Sequence, residues 1–322
     1  MKPQGSLISS FDLRINSFSI ATIKLNVPTY KQVYYESWYR GLCVGSLVSR
    51  SAVITAAVCV TNPTSPEPDT RPINVVTGTE YRHPKRGVRV PVTKILIPNY
   101  TYFRTYLLQK CPAVLILKRK VPDTLVEIPL RPIDLDYLGE VNLQLLEECI
   151  MPGWHFFYKG DTIYPVNKFL LQKHLRVQYI NIVKKHIWCN ALSIKFRQSL
   201  DDIGYRNPHD KRANVCVRDP DRHAQACHGM YGAPLVCRGK IVGLMMAPDA
   251  QWTNCTGLSN IIHLFSSNFL RPFMSCVSRL FDPDGSFNMD KLKKIMYDTG
   301  ETYDFIPEMY DKLLDGTDHS SD

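Results

Sequence analysis

The chain has 322 residues, a formal net charge of +9 and ten cysteines. Hydrophobic residues make up 44% and charged residues 21%, a globular composition that excludes a disordered or fibrous chain. No apolar run approaches the ~20 residues that a membrane-spanning helix needs, so we expect no membrane span.

The cysteines and the N-terminus give different indications about the compartment. The first residues contain one early lysine but no apolar core, so they do not form a recognisable signal peptide. Ten widely spaced cysteines without a Cys-x-x-Cys pair indicate disulfides and argue against a zinc ribbon or a thioredoxin-type site. We therefore expect an extracellular, secreted protein, although no signal peptide is visible in this chain.

Short strands dominate the predicted secondary structure up to residue 270. They are rich in β-branched residues and are separated by Pro, Gly, Asn and Asp, a pattern typical of an all-β sandwich or a pair of barrels. A segment with four prolines, residues 61–72, is predicted to be a surface loop. The clearest predicted strands are residues 88–97, 113–118, 175–183, 233–237 and 240–246.

Helices are predicted only near the C-terminus. Residues 266–281 have apolar side chains at every fourth position, and Pro272 is expected to kink or break this helix. Helical spacing returns in residues 289–298 and 306–316.

The charge is unevenly distributed along the chain. Residues 282–322 contain eleven acidic residues and four lysines, a net charge of −7, whereas the rest of the chain carries +16. This break predicts a boundary near residue 282. The acidic extension could fold back on the basic body, present short amphipathic helices to another protein, or lack a fixed structure.

Two segments carry a specific family resemblance. Residues 41–59 are GLCVGSLVSRSAVITAAVC, and residues 224–237 are AQACHGMYGAPLVC. The first resembles the Gly-Ser-Leu and Thr-Ala-Ala-His-Cys signature of trypsin-like serine proteases, and the second resembles their nucleophile signature. Four further markers follow the family's order: CPAVLILKR, ECIMPGW, IWCNALSIKF with NVCV, and GLMMAPDAQWTNC.

The resemblance implies an all-β fold of two packed six-stranded antiparallel barrels with a C-terminal helix, followed by an acidic, partly helical tail. It covers more than four-fifths of the chain. The expected organisation is an N-terminal remnant at residues 1–14, an inactive trypsin-like domain at 15–281, and an acidic C-terminal extension at 282–322.

The resemblance also implies four disulfides. Cys111 and Cys276 are left over, and we favour unpaired, buried thiols, because a buried cysteine behaves as a small hydrophobic residue. A bond between these two, or a link to a partner, are the alternatives. The implied pairs are Cys43–Cys59, Cys149–Cys237, Cys189–Cys216 and Cys227–Cys255.

The catalytic residues of the family are absent at the matching positions. In the family a serine attacks, a histidine takes its proton and an aspartate orients the histidine. Here the resemblance places Val58 at the histidine position, Cys111 at the aspartate position and Tyr231 at the serine position. Valine cannot accept a proton, and a tyrosine hydroxyl differs in both pKa and reach from a serine hydroxyl. We therefore predict no catalysis; residual serine-type endopeptidase activity is an alternative.

The activation machinery differs as well. Met230 stands where the family has the aspartate that receives the new N-terminal amine after zymogen cleavage. Arg14-Ile15 stands where the activation bond would be, so cleavage there would release an ammonium without its carboxylate partner.

The specificity pocket is also changed. Gln225 occupies the base position, where a basic substrate side chain would find no counter-charge. The substrate-binding strand of the family, Ser-Trp-Gly, is replaced by Met246, Ala247 and Pro248. Proline has no N–H group to pair with a substrate backbone.

The nine histidines form no His-x-x-x-His or His-Glu-x-x-His pair, so we expect no metal and no cofactor. Asn99 begins an Asn-Tyr-Thr sequence and is a candidate glycosylation site. Nucleic-acid binding is not expected, because no basic cluster is interleaved with stacking aromatic residues. The basic clusters are Arg82, Lys85, Arg86 and Arg89, then Lys118 to Lys120, and then Lys184, Lys185 and His186.

The predicted function is therefore protein binding by a non-catalytic serine protease homologue. Its expected partner is an extracellular protein, such as an active protease or the substrate of one, and its expected role is adaptor, cofactor or decoy in a protease cascade. The alternative from a different class is binding of a sulfated glycan or another polyanion by the basic body.

Overall fold

The structure is a computed structural model. It describes residues 20–25, 43–60, 73–78, 87–98, 111–122, 132–143, 149–153, 156–158, 175–183, 194, 198, 213–220, 224–226, 230–246 and 260–298.

A closed six-stranded antiparallel barrel forms the first half of the molecule. Its strands are arranged in the order β1-β2-β3-β6-β5-β4, and β1 also pairs with β4, so the barrel has no free edge. The strands are β1 (Ile20–Leu25), β2 (Cys43–Ser49), β3 (Ala52–Ala56), β4 (Ile73–Thr77), β5 (Val88–Leu96) and β6 (Pro112–Leu117).

A second closed antiparallel barrel repeats this arrangement. Its order is β7-β9-β10-β14-β13-β12, with β12 paired back to β7. The first three strands in sequence are thus followed around the barrel by the last three in reverse, as in the first barrel. The strands are β7 (Cys149–Gly153), β9 (Arg176–Val183), β10 (Asn214–Arg218), β12 (Pro234–Cys237), β13 (Lys240–Met245) and β14 (Asn260–Leu264). Two short strands, β8 (Phe156–Tyr158) and β11 (Ala224–Ala226), pair separately.

The predicted strands agree closely with β5, β6, β9, β12 and β13. Several strands are apolar throughout because both of their faces are covered: every residue of β3, β6 and β12 is buried. The buried side chains of the two barrels belong to one continuous hydrophobic core. The runs of β-branched residues between turn residues therefore predicted which segments form strands. The shared core explains why polar and apolar residues do not alternate along β3, β6 and β12.

The connection between the barrels is fixed by hydrogen bonds to β13. The backbone N–H of Asp136 donates to the carbonyl of Ile241 at 2.8 Å, and the N–H of Ile241 donates to the carbonyl of Asp134 at 2.8 Å. The buried carboxylate of Asp136 accepts the N–H groups of Glu140 and Val141 at 2.8 and 3.0 Å.

The helix α1 (Arg271–Arg279) follows the second barrel and buries Phe273 and Val277. Pro272 lies in its first turn, where the N–H group has no partner within the helix, so proline is tolerated there. The predicted helix therefore begins at Arg271 instead of Ser266, and Pro272 lies at its start instead of in its interior. The predicted second helix is observed as α2 (Met289–Asp298), whereas residues 306–316 lie outside the described residues.

The first part of the acidic extension is folded onto the first barrel. Ser49 and Ser51 donate hydrogen bonds from their hydroxyls to the carbonyl of Gly285, at 2.5 and 2.6 Å. Leu292 of α2 is buried in the core. The boundary near residue 282 stays a prediction, but this stretch packs on the body.

Two disulfides are fully described, Cys43–Cys59 and Cys149–Cys237, and both have the pairing that the resemblance implies. Cys216 is also disulfide-bonded, and its expected partner Cys189 lies outside the described residues, as do Cys227 and Cys255.

The two remaining cysteines, Cys111 and Cys276, are free and buried, as expected. Within the described ranges, no helix is both long enough and apolar enough to span a membrane.

Candidate functional site

Val58 lies in a short 3-10 helix, Ala57–Cys59, that follows β3 directly. All three residues of this turn are buried, and Val58 is only 3% exposed. The N–H of Val60 donates to the carbonyl of Ala57 at 3.0 Å and closes the turn. The isopropyl group of Val58 is therefore part of the hydrophobic core.

Cys111 immediately precedes β6 and is fully buried. Its carbonyl accepts the N–H of Ala57 at 2.8 Å, so the backbone at Cys111 is joined to the turn that carries Val58. Burial raises the pKa of the Cys111 thiol well above its usual range. The thiol consequently stays protonated at neutral pH and provides no thiolate.

Tyr231 precedes β12 and is among the largest fully buried side chains. Its carbonyl accepts the N–H of Val44 at 2.9 Å, and this bond joins the two barrels. The Sγ atom of Cys59 lies 3.8 Å from the same carbonyl oxygen. The segments that carry Val58, Cys111 and Tyr231 therefore lie close together through backbone contacts, and all three side chains are buried.

Gly232 holds the closest approach between the barrels. Its φ angle is +80°, and a Cβ atom there would lie 2.2 Å from the carbonyl oxygen of Val44 and 2.3 Å from Oγ1 of Thr55. The Thr55 hydroxyl donates to the same Val44 oxygen at 2.8 Å. Only glycine fits this position without movement of the backbone. Sequence reasoning did not single out Gly232; the available signal was a glycine placed directly before a buried Ala-Pro-Leu-Val strand.

Met230 is completely buried beside Gly153 of β7. A Cβ atom on Gly153 would lie 2.2 and 2.3 Å from Cε and Sδ of Met230, so the thioether fills the space above this glycine. The position is therefore an apolar contact, and the Met230 side chain offers no charge to an ammonium group.

The other predicted site residues are only partly described. Met246 follows β13 and is buried at 3% exposure. The backbone of Gln225 pairs with Phe157 in the small sheet, and its side chain is outside the described set. Ala247, Pro248, Asn99, Arg14 and Ile15 lie outside the described residues.

The described part of the chain contains no candidate metal-binding site. No group of three or more His, Cys, Asp or Glu side chains in this part is placed to hold a metal ion. The described site is thus a buried joint between two barrels, formed by the apolar side chain of Val58 and the buried side chains of Cys111 and Tyr231.

Two comparisons with known proteins agree with this fold. The family model described as "Trypsin" matches residues 21–261. Among solved structures, the chain is similar to a scabies mite inactivated protease paralogue, S-D1, with a TM-score of 0.52 and 17% sequence identity. The match covers 85% of this chain and 96% of that protein. At this identity the structural match shows a shared fold and nothing finer.

Proposed function

We propose that this chain, which belongs to the trypsin family, is a non-catalytic member that acts by binding another protein. The observation that carries the proposal is the burial of Val58, Cys111 and Tyr231 at the joint between the barrels. These residues occupy the positions at which the family resemblance places the histidine, aspartate and serine of the triad.

The chemistry of acyl transfer requires a base that removes the proton from a nucleophile. The Val58 side chain has no atom that can accept a proton. The Cys111 thiol is kept neutral by burial, and it would have no imidazole to orient. Loss of such a group of residues typically reduces turnover by about a million-fold.

Activation by cleavage would also lack the carboxylate that it requires in the family. The buried thioether of Met230 packs on Gly153 at the position where the family has an aspartate. A new N-terminal ammonium inserted there would be desolvated without a counter-charge, which is strongly unfavourable. Cleavage at Arg14-Ile15 is therefore not expected to create an active enzyme.

The structural neighbour provides a parallel for such a protein. It is described as an inactivated protease paralogue, so this fold occurs in a protease relative without activity. A disulfide-bonded barrel pair with variable loops is a rigid scaffold for recognition. We infer that the chain works outside the cell, where disulfides persist, as an adaptor, cofactor or decoy for a protease or for the substrate of one.

Labelling with a fluorophosphonate probe tests the loss of catalysis. We expect no more labelling of the native chain than of the heat-denatured chain, with active trypsin as the positive control. Labelling of the native chain that disappears when one serine is substituted would overturn the proposal and establish residual serine-type activity.

Affinity capture tests the binding role. The full chain is immobilised and exposed to extracellular fluid from its source, and the heat-denatured chain serves as the control surface. Retention of a protease, or of a protease substrate, on the native chain alone supports the proposal. Equal retention on both surfaces argues against it.

A second candidate function is binding of a sulfated glycan. It is favoured by a juxtaposition of two of the predicted basic clusters: the guanidinium of Arg119 donates to the carbonyl of Arg89 at 3.5 Å. Both side chains are exposed. Elution of the chain from heparin only at salt concentrations well above those for a neutral control protein supports this candidate, and elution with the control rejects it.

A further inference from the structure

The positive charge of the protein is concentrated in its first barrel. Residues 15–122 contain fifteen Lys and Arg but four Asp and Glu, a net charge of +11, whereas residues 123–281 carry only +4. Among the described residues of the first barrel there is no acidic residue at all. Seven basic residues are present there: Lys24, Arg50, Arg89, Lys94, Lys118, Arg119 and Lys120.

Three of these residues form an exposed surface, which we call the basic face: Arg89, Lys118 and Arg119. The backbone N–H of Lys118 donates to the carbonyl of Pro91 at 2.8 Å, which places the end of β6 beside β5. The guanidinium of Arg119 reaches the carbonyl of Arg89. In the part of the chain that the structure describes, no carboxylate forms an ion pair with any of the three.

The acidic extension enters next to this face. Asp284 forms an ion pair with Lys120, the residue that follows Arg119. The hydroxyls of Ser49 and Ser51 hold the carbonyl of Gly285 over the turn between β2 and β3. The described part of the extension therefore already forms an ion pair with a lysine of the first barrel.

The rest of the extension carries most of its charge. Residues 299–322 contain seven acidic residues and one lysine, a net charge of −6. Helix α2 starts near β5, since Nζ of Lys94 lies 4.0 Å from Sδ of Met289. A ten-residue helix is about 15 Å long, and the 24 residues beyond it can span up to about 80 Å, so the segment can reach the basic face.

We propose that residues 299–322 bind the basic face. The contact continues the existing Asp284–Lys120 ion pair and places six net negative charges against the three cations of the basic face. The tether keeps the segment at an effective concentration of about 1 mM, so weak and salt-sensitive contacts suffice. An external polyanion would compete with this segment for the same three cations. The proposal does not depend on the loss of catalysis.

Carbodiimide cross-linking of the full chain, which joins carboxylates directly to lysines, tests the contact. We expect cross-links between Lys118 and the carboxylates of residues 299–322 in the monomer at low ionic strength. They should fall by about tenfold in 1 M salt, where the screening length is about 3 Å. Absence of these cross-links at low ionic strength, or an equal yield in 1 M salt, would refute the proposal.

Two matched double variants separate a specific contact from a general charge effect. Arg89→Glu with Arg119→Glu keeps Lys118 as the reporter and should lower the cross-link yield by about fivefold or more. Arg271→Glu with Arg279→Glu makes the same change in net charge at two exposed positions on α1 and should lower it by less than about twofold. Circular dichroism confirms that both variants are folded. Equal yields in the two variants would refute a specific contact.

A sulfated oligosaccharide provides an independent readout. If residues 299–322 occupy the basic face, adding the oligosaccharide should lower the Lys118 cross-link yield in the unmodified chain. An unchanged yield under conditions in which the oligosaccharide is bound would contradict binding of the segment at this face. Failure of the chain to bind heparin at all would reject the glycan function alone, because the cross-link between Lys118 and the extension is measured without glycan.

Discussion

The two ends of the β2–β3 hairpin make different kinds of contact with the rest of the molecule. At one end, Val44 and Ala57 contact Tyr231 and Cys111 through backbone hydrogen bonds, and the side chains of Tyr231 and Cys111 are buried. At the other end, Ser49 and Ser51 hold the extension through hydroxyl groups beside the Lys120–Asp284 ion pair. The first contact is a buried joint made by backbone groups, and the second adds a charged surface. The barrel therefore uses its two ends differently: one end is closed by the second barrel, and the other end receives the extension.

Gly232→Ala should break the first contact with the largest effect. The added Cβ would collide with the backbone oxygen of Val44 at a positive φ angle, so we expect a loss of about 5 kcal/mol in the free energy of unfolding. Urea denaturation measures this loss. Gly239→Ala is the matched control, because Gly239 also has a positive φ angle but no atom within 4 Å of the added Cβ. It should cost only about 1 kcal/mol. Equal losses in the two variants would show that the close contact between Gly232 and Val44 does not affect the free energy of unfolding.

Tyr231→Ser restores the family's nucleophile type and tests whether the framework alone can support catalysis. Removing a fully buried ring should cost about 4 kcal/mol, and no peptidase activity should appear because Val58 cannot act as a base. Thermal unfolding and peptide hydrolysis are measured together. Tyr231→Phe keeps the ring and should cost less. Turnover by the serine variant would contradict our assignment of Val58.

Leu292→Ala tests the second contact. Leu292 is the one buried side chain among residues 289–294 of α2. Its truncation should cost about 2 kcal/mol and expose these residues to hydrogen exchange. The neighbouring exposed Lys293→Ala should change the exchange little. Equal exchange in the two variants would show that α2 is not held by its apolar side chain.

Acidification should give the smallest effect, confined to the extension. The hydrogen bond from Lys120, together with Ser286, lowers the pKa of the Asp284 carboxyl. A lowered folded pKa means that the stabilisation is complete above the unfolded value near 4 and is lost as the pH falls below it. Exchange protection of residues 282–288, corrected for intrinsic rates, should therefore decrease below about pH 4.

Asp284→Asn is the control for this pH dependence. Its protection should already be lower at neutral pH, and it should vary less on acidification. The same pH dependence in the variant and the unmodified chain would assign the effect to another carboxyl group, for example Asp282. The pKa of Asp282 is lowered by its hydrogen bonds with Lys291 and Asn288.

The sequence by itself determined the elements and the family. β-branched runs between turn residues located β5, β6, β9, β12 and β13, and the motifs around Cys43, Cys59 and Cys237 gave the two-barrel fold. These are local signals, because strand propensity and signature motifs reside in neighbouring residues. The same motifs place Val58, Cys111 and Tyr231 at the triad positions, and the loss of catalysis stays a prediction from the sequence.

Only the tertiary structure decided how distant segments meet. No sequence repeat reveals that the two barrels share one strand order, because many sequences satisfy the same pairing rules. The need for glycine at position 232 depends on Val44 and Thr55, which lie more than 170 residues earlier in the chain. The sequence left open whether the acidic extension folds back on the body, and the structure shows that its first part is held by Ser49, Ser51 and Lys120. Such contacts depend on chain closure over long separations, and no local pattern encodes them.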